Sequence, residues 1–255
     1  MKITFLGTGT SQGVPPIGCR SDVCLSENPR DKRLRASIHI EWNGLSLVVD
    51  CGPDFRYQMI RAGISRVDAL LFTHEHRDHT AGLDDIRPFN YLQEGALPVY
   101  LHPRVYQAFQ GQFDYIFQPV PYPGIPQIDW HLIDNEPFEI GGHVIRPVEV
   151  LHYKLPVLGF VFDRFAYVTD ANFISDQEKE KLKGMDVLVL NALRREAHIS
   201  HFTLAEAVAL AKELGAKQTY FTHMSHQIGL HDDVCSELPD GIDLAHDGLV
   251  VEILD

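Results

Sequence analysis

The stretch Thr73-His74-Glu75-His76-Arg77-Asp78-His79 packs three imidazoles and the carboxylate of Asp78 into six residues, a density that no hydrophobic core requires. The residues just before it, Val67-Asp68-Ala69-Leu70-Leu71-Phe72, are largely apolar and read as a buried strand, so the histidines occupy the loop leaving its C-terminal end. Such a loop is held by a rigid element yet faces a cavity. Residues two apart in extended chain project the same way, so His74 and His76 can share one cation, while Asp78 and His79, beyond the turn, reach a second. Neutral imidazole and carboxylate suit zinc, manganese or iron in hydrolytic sites. A single histidine here would more often be solvated or bonded to a carbonyl; the spacing behind an apolar run is what argues for metal.

A two-metal centre needs further donors at the ends of later strands, and the chain has them. His152 follows the apolar run 144–151, Asp170 follows 165–169, and His223 follows 218–222. Any of these alone is an ordinary loop residue; together with the first cluster they form the constellation a metal requires.

The pattern His-x-His-x-Asp-His, with these later landmarks along almost the whole chain, resembles the metallo-β-lactamase superfamily. The resemblance implies an α/β (α+β) fold, a four-layer αβ/βα sandwich of two mainly antiparallel sheets with helices outside and the site at one edge. It assigns His74, His76 and His152 to one divalent ion, Asp78, His79 and His223 to another, and Asp170 to both, with Asp50 supporting the histidine loop. Zinc or manganese would be the ions, and a hydroxide bridging them the nucleophile.

A narrower likeness runs through Pro15-Pro16-Ile17-Gly18-Cys19-Arg20-Ser21-Asp22-Val23-Cys24 and Thr222-His223-Met224-Ser225-His226-Gln227. Both resemble the PhnP-type phosphoribosyl cyclic phosphodiesterases, where three cysteines and a distant histidine hold a structural zinc. Here Ser21 stands at the middle cysteine's position, and a hydroxyl is a poorer zinc ligand than a thiolate; either Cys19, Cys24 and His226 hold a third ion with Asp22 or water as fourth ligand, or the site is lost and the two thiols are free or buried. The same likeness gives His201 a catalytic role as the acid near the leaving group, beside Asp78 on the second ion, with His198 a near alternative.

Length and composition agree with one metallo-β-lactamase-like domain over residues 1–255: 45% of residues are apolar, enough for a sizeable core. A formal charge of −13 disfavours an extended nucleic-acid surface or an anionic membrane and suits a small phosphorylated substrate held beside cations. Four cysteines without framework spacing, no apolar run of membrane length and no export signal point to a reduced, cytoplasmic enzyme.

Elsewhere, 36–42 and 45–49 flanking Asn43-Gly44 read as a hairpin, 55–62 as a helix stopped by Gly63, and 204–214 as a helix capped by Thr203. Gly7-Thr8-Gly9-Thr10-Ser11-Gln12-Gly13 lacks the lysine of a P-loop and reads as a tight turn, and 30–35 as a solvated basic face. The aromatic, proline-stiffened run 111–127 suits a pocket cover, a homodimer contact or a surface loop.

The expected activity is hydrolysis of a small phosphorylated sugar or nucleotide, cyclic or open. The same ligands serve a ribonuclease of the tRNA 3′-processing type or a thioester hydrolase. A third alternative is a protein like PqqB of pyrroloquinoline quinone synthesis, or a binding module without catalysis.

Overall fold

A strand apolar at nearly every position buries both faces when it has helices on one side and a second sheet on the other. The computed structural model describes residues 1–118 and 124–254. Its first sheet holds β1 (Lys2–Gly7), β2 (Ser37–Trp42), β3 (Leu45–Val49), β4 (Ala69–Leu71), β5 (Leu97–Leu101), β6 (Ile128–Leu132) and β14 (Val250–Glu252), in the order β14-β1-β2-β3-β4-β5-β6. The second holds β7 (Phe138–Ile140), β8 (His143–His152), β9 (Leu155–Phe162), β10 (Phe165–Tyr167), β11 (Val187–Asn191), β12 (Gln218–Thr222) and β13 (Ile242–Leu244), in the order β13-β12-β11-β10-β9-β8-β7.

Alternation assigns the faces. Leu47, Val49, Ala69 and Leu71 meet Phe160, Phe162, Phe165 and Val189 in a core between the sheets. Val48 and Leu70 turn outward onto α2 (Phe55–Ala62), α4 (Arg87–Gln93) and α5 (Pro103–Gln112). Leu188 and Leu190 turn outward onto α6 (Asp176–Leu182), α7 (Leu204–Leu214) and α8 (His231–Glu237). These are the four layers expected.

The expectation of mainly antiparallel sheets is corrected: each sheet is half parallel. In the first, β3-β4, β4-β5 and β5-β6 run parallel, and in the second β10-β11, β11-β12 and β12-β13 do. Parallel neighbours need a crossover, and the helices between those strands supply it. The parallel strands all end toward one edge, and the loops leaving them carry the clustered histidines and aspartates.

The predicted hairpin, α2 with its left-handed Gly63 cap, and α7 with a Thr203–Glu206 capping box all form. Three expectations differ. Asp78 and His79, expected beyond a turn in the loop, lie in a short helix, α3 (Arg77–Thr80). The glycine loop turns only over Thr10–Gly13; before that, Gly9 bridges both Arg35 and Met224 as extended chain. The basic face is not solvated, for Arg33 is 3% exposed and donates to Thr8 Oγ1 (2.9 Å) and the Ala245 carbonyl (2.7 Å), with His231 Nδ1 at 3.1 Å. Of the aromatic run, residues 119–123 lie outside the described residues. Among the described residues no helix is long and apolar enough to cross a membrane.

Burial and the nearby Arg33 charge hold the His231 imidazole down at about 4. The unfolded chain takes up a proton near pH 6.5 that the folded one refuses until about pH 4, so this contribution is complete above the former and lost as pH falls to the latter. Urea unfolding across that window should show a loss of about 1–3 kcal/mol, reduced from the unscreened value by residual solvent contact. The loss should flatten in His231→Gln.

Candidate metal centre

The seven donors named from the sequence converge. His74, His76, His152 and Asp170 bring one donor atom each within 4.8 Å of one another, and Asp78, His79, Asp170 and His223 do the same, with Asp170 in both sets. Cys19, Cys24 and His226 form a third such group. His201 also joins the centre, its Nε2 3.4 Å from Asp170 Oδ2 and its ring stacked on His223 at 5.0 Å.

Backbone and hydrogen bonds decide which ring nitrogen faces inward. Asp50, wholly buried after β3, accepts from the Thr73 amide and hydroxyl and from His79 Nδ1 at 2.7 Å. Because the Thr73 hydroxyl is spent on Asp50, its oxygen receives the Nδ1 proton of His74 (2.9 Å). His152 Nδ1 donates to the Ser200 carbonyl at 2.8 Å. Each of these rings therefore has its outer nitrogen engaged and turns its Nε2 toward the cavity, the orientation a metal requires. Asp50 has the supporting position expected of it, while Thr73 and Ser200 carry no signal in the sequence.

The charges are unbalanced without a cation. Asp78 and Asp170 are mostly or wholly shielded from water, and among the described residues neither has a Lys or Arg partner. Burial pushes the Asp78 carboxyl up, but the His79 charge and hydrogen bonds from His223 and His79 override it and hold it far below the usual range. Asp170 is likewise held down against burial by His223 and His79. Burial opposes charge on His79, yet Asp170, Asp78 and Asp50 outweigh it and raise that imidazole well above its usual value. Burial keeps His74 neutral, and its Nε2 and that of His79 are buried with no hydrogen-bond partner. Inward-facing ring nitrogens beside buried carboxylates that, among the described residues, meet imidazoles but no lysine or arginine are the donor set divalent cations fit.

The third group is less complete. Ser21 caps the short helix α1 (Asp22–Leu25), accepting from the Cys24 amide at 3.4 Å, and also lies 3.4 Å from Cys19 Sγ. Its hydroxyl thus has a structural task where the sequence resemblance implies a thiolate. His226 Nδ1 is buried without a partner.

Strain gathers at the centre. Asp50, Asp170, His223 and Tyr153 all have positive φ (64°, 54°, 57° and 59°), a conformation costing about 1–3 kcal/mol in a residue other than glycine. Neighbouring chain sustains it: Asn191 bonds both the amide and carbonyl of Ala171, next to Asp170, while Thr8 and Thr10 bracket Met224, next to His223. A cavity of about 1130 Å³ beside α2 and α4 includes none of these donors. A smaller one of about 480 Å³ is lined by His76 and His152.

Residues 46–224 match the beta-lactamase superfamily domain. The chain belongs to that superfamily. A crystal structure described as a new diphosphatase from the PhnP family superposes with a TM-score of 0.93 at 41% identity, covering 99% of this chain and 98% of the other. An octanoyltransferase of Porphyromonas gingivalis is 38% identical over 98% of this chain, which spans only 51% of that protein's length. A ribonuclease Z of Pyrobaculum neutrophilum is 25% identical, with 88% of this chain and 87% of that one aligned. The superfamily fold carries divalent metal ions, in keeping with the clustered donors.

A side chain at Gly52 would drive its Cβ to 2.1 Å from the Asp78 carbonyl oxygen, where α3 packs against the chain leaving β3. Gly52→Ala should therefore displace the Asp78–His79 turn, costing about 1–3 kcal/mol in urea unfolding and lowering bound metal by elemental analysis. Wild-type stability and full metal content in this variant would contradict the packing described.

Proposed function

We propose that this chain is a metal-dependent phosphodiesterase acting on a small phosphorylated substrate. The observation that carries the proposal is Asp170 shared between two sets of inward-facing donors, with His201 Nε2 beside it. His74, His76, His152 and Asp170 would hold one ion, and Asp78, His79, His223 and Asp170 a second. Bound divalent ions lower the pKa of water and neutralise charge on phosphoryl oxygens. The imidazoles of this donor set suit zinc, and the two carboxylates admit manganese as well.

The chain's own groups do the rest. Asp50, Thr73 and the Ser200 carbonyl keep the ligating rings in one tautomer and orientation. His201 would hand a proton from Nε2 to the oxygen leaving phosphorus; its Nδ1 meets Ser200 Oγ at 3.1 Å. Burial lowers the His201 pKa in the substrate-free protein, and the negative charge of a bound phosphodiester raises it again. Cys19, Cys24 and His226 would hold a further, structural zinc.

The likeness to a PhnP-family diphosphatase supports phosphoryl chemistry on a small molecule. Relatedness to ribonuclease Z favours a second reading, cleavage of an RNA precursor, against which stands the charge of −13. Octanoyl transfer is named for a protein of about twice the matched length, so it gives this half no particular chemistry.

Metal-loaded protein should hydrolyse bis(4-nitrophenyl) phosphate. Asp170→Ala should lose both turnover and bound metal, whereas His201→Ala should keep its metal and lose about 10²–10⁴-fold in kcat. Unchanged turnover in both variants, or no stoichiometric metal in the wild type, would reject the phosphodiesterase. Preferential cleavage of a tRNA precursor, with affinity falling steeply with salt, would favour the ribonuclease.

A further inference from the structure

His74 and His76 turn into the centre, while the residue between them, Glu75, pairs with Arg104 in the first turn of α5. Glu75 Oε2 and Arg104 Nη2 are 3.3 Å apart, and both side chains are mostly shielded from water. The same Nη2 donates to the carbonyl of Pro156, on β9 in the second sheet. Pro156 adjoins Leu155, the cross-strand partner of His152. One guanidinium thus spans the gap between two donors carried by the first sheet and a donor carried by the second.

Helix α5 gives this arm a fixed base. Its Phe109 packs edge-on against Phe72 at 5.0 Å, two residues before His74. Its last residue, Gln112, donates to the Glu75 carbonyl at 3.3 Å, and His102 Nδ1 caps its start by accepting from the Arg104 amide at 3.2 Å. Beside the arm, the Leu158 amide donates across the sandwich to the Thr73 carbonyl at 3.1 Å. A partly exposed ion pair contributes only about 0–1 kcal/mol to stability. Its effect here falls on geometry, the interval at which the His152 ring stands from those of His74 (5.8 Å) and His76 (5.0 Å). The second set of donors is braced elsewhere, by Asp50 on His79 and by Gly52 beneath Asp78.

We propose that Arg104 is a positioning residue for the first ion, holding His74 and His76 at the distance from His152 that a single cation bridges. The inference rests on the two-ion reading given under Proposed function. Arg104 touches no donor itself. It acts through Glu75 on one side and through the Leu155–Pro156 backbone on the other, so its loss loosens one set of donors and spares the other.

Zinc titration by calorimetry distinguishes the two sets. In His223→Ala, which leaves the first set complete, adding Arg104→Ala should weaken the zinc dissociation constant about 10–100-fold. In His76→Ala, which leaves the second set complete, the same change should leave zinc affinity unmoved. Glu75→Gln should give a smaller loss of the same kind, and combining it with Arg104→Ala should be no worse than Arg104→Ala alone. Arg104→Met, which keeps the apolar stem, puts the same question if the alanine variant does not fold. Unmoved affinity at the first set, equal loss at both sets, or additive losses for Glu75 and Arg104 would overturn the clamp. Parents that bind no stoichiometric zinc would reject the two-ion centre and the clamp with it. The expected pattern in a wild-type protein that, metal-loaded, leaves bis(4-nitrophenyl) phosphate intact would support the clamp and reject the phosphodiesterase alone.

Discussion

Two carboxylates taken out of water without a lysine or arginine to meet them are the constraint around which this molecule is arranged. Asp78 and Asp170 face imidazoles, and of the rings around the centre His79, His74 and His152 have given their outer nitrogens to Asp50, Thr73 and the Ser200 carbonyl. The remaining lone pairs converge with the carboxylate oxygens on a common space. Buried carboxylates met only by imidazoles are costly for a protein to hold, so their presence argues for a cation rather than for stability. The two sheets, their parallel ends aligned at one edge, bring such groups together from positions 74 to 223.

Rigid elements make the strain at this edge affordable in conformational terms. Asp50, Asp170 and His223 each leave a strand and turn at once through left-handed backbone, and each is tied by main-chain or amide bonds to the neighbouring strand exit. Gly52 and Gly82 let the chain after β3 lie against α3 at distances that exclude any side chain. The donors are thereby oriented before anything binds.

Much of this is legible in the sequence because it depends on local patterns. The spacing of His74, His76, Asp78 and His79 behind an apolar run, and single donors after three later runs, suffice to nominate the cluster. The Asn43-Gly44 hairpin and the Thr203 cap are equally local. What escapes is nonlocal. Burial of Arg33 depends on Thr8, Ala245 and His231, residues up to 212 positions away, so a basic run looked at by itself suggests solvent. The parallel halves escape because pairing follows the crossover helices rather than strand composition. Thr73 and Ser200 escape because a hydroxyl or carbonyl bonding a histidine leaves no pattern. Ser21 is the reverse case: a departure visible in sequence whose reason, the cap on α1, needs the structure.

The donors are divided between the layers. His74, His76, Asp78 and His79 come from loops of the first sheet, while His152, Asp170 and His223 come from the second. Ions gripped from both sides would rivet the halves together, so occupancy would bear on the lifetime of the folded chain as well as on chemistry. A cell short of the right element would then hold a population more open to proteases, its abundance tracking mineral supply without any dedicated sensor.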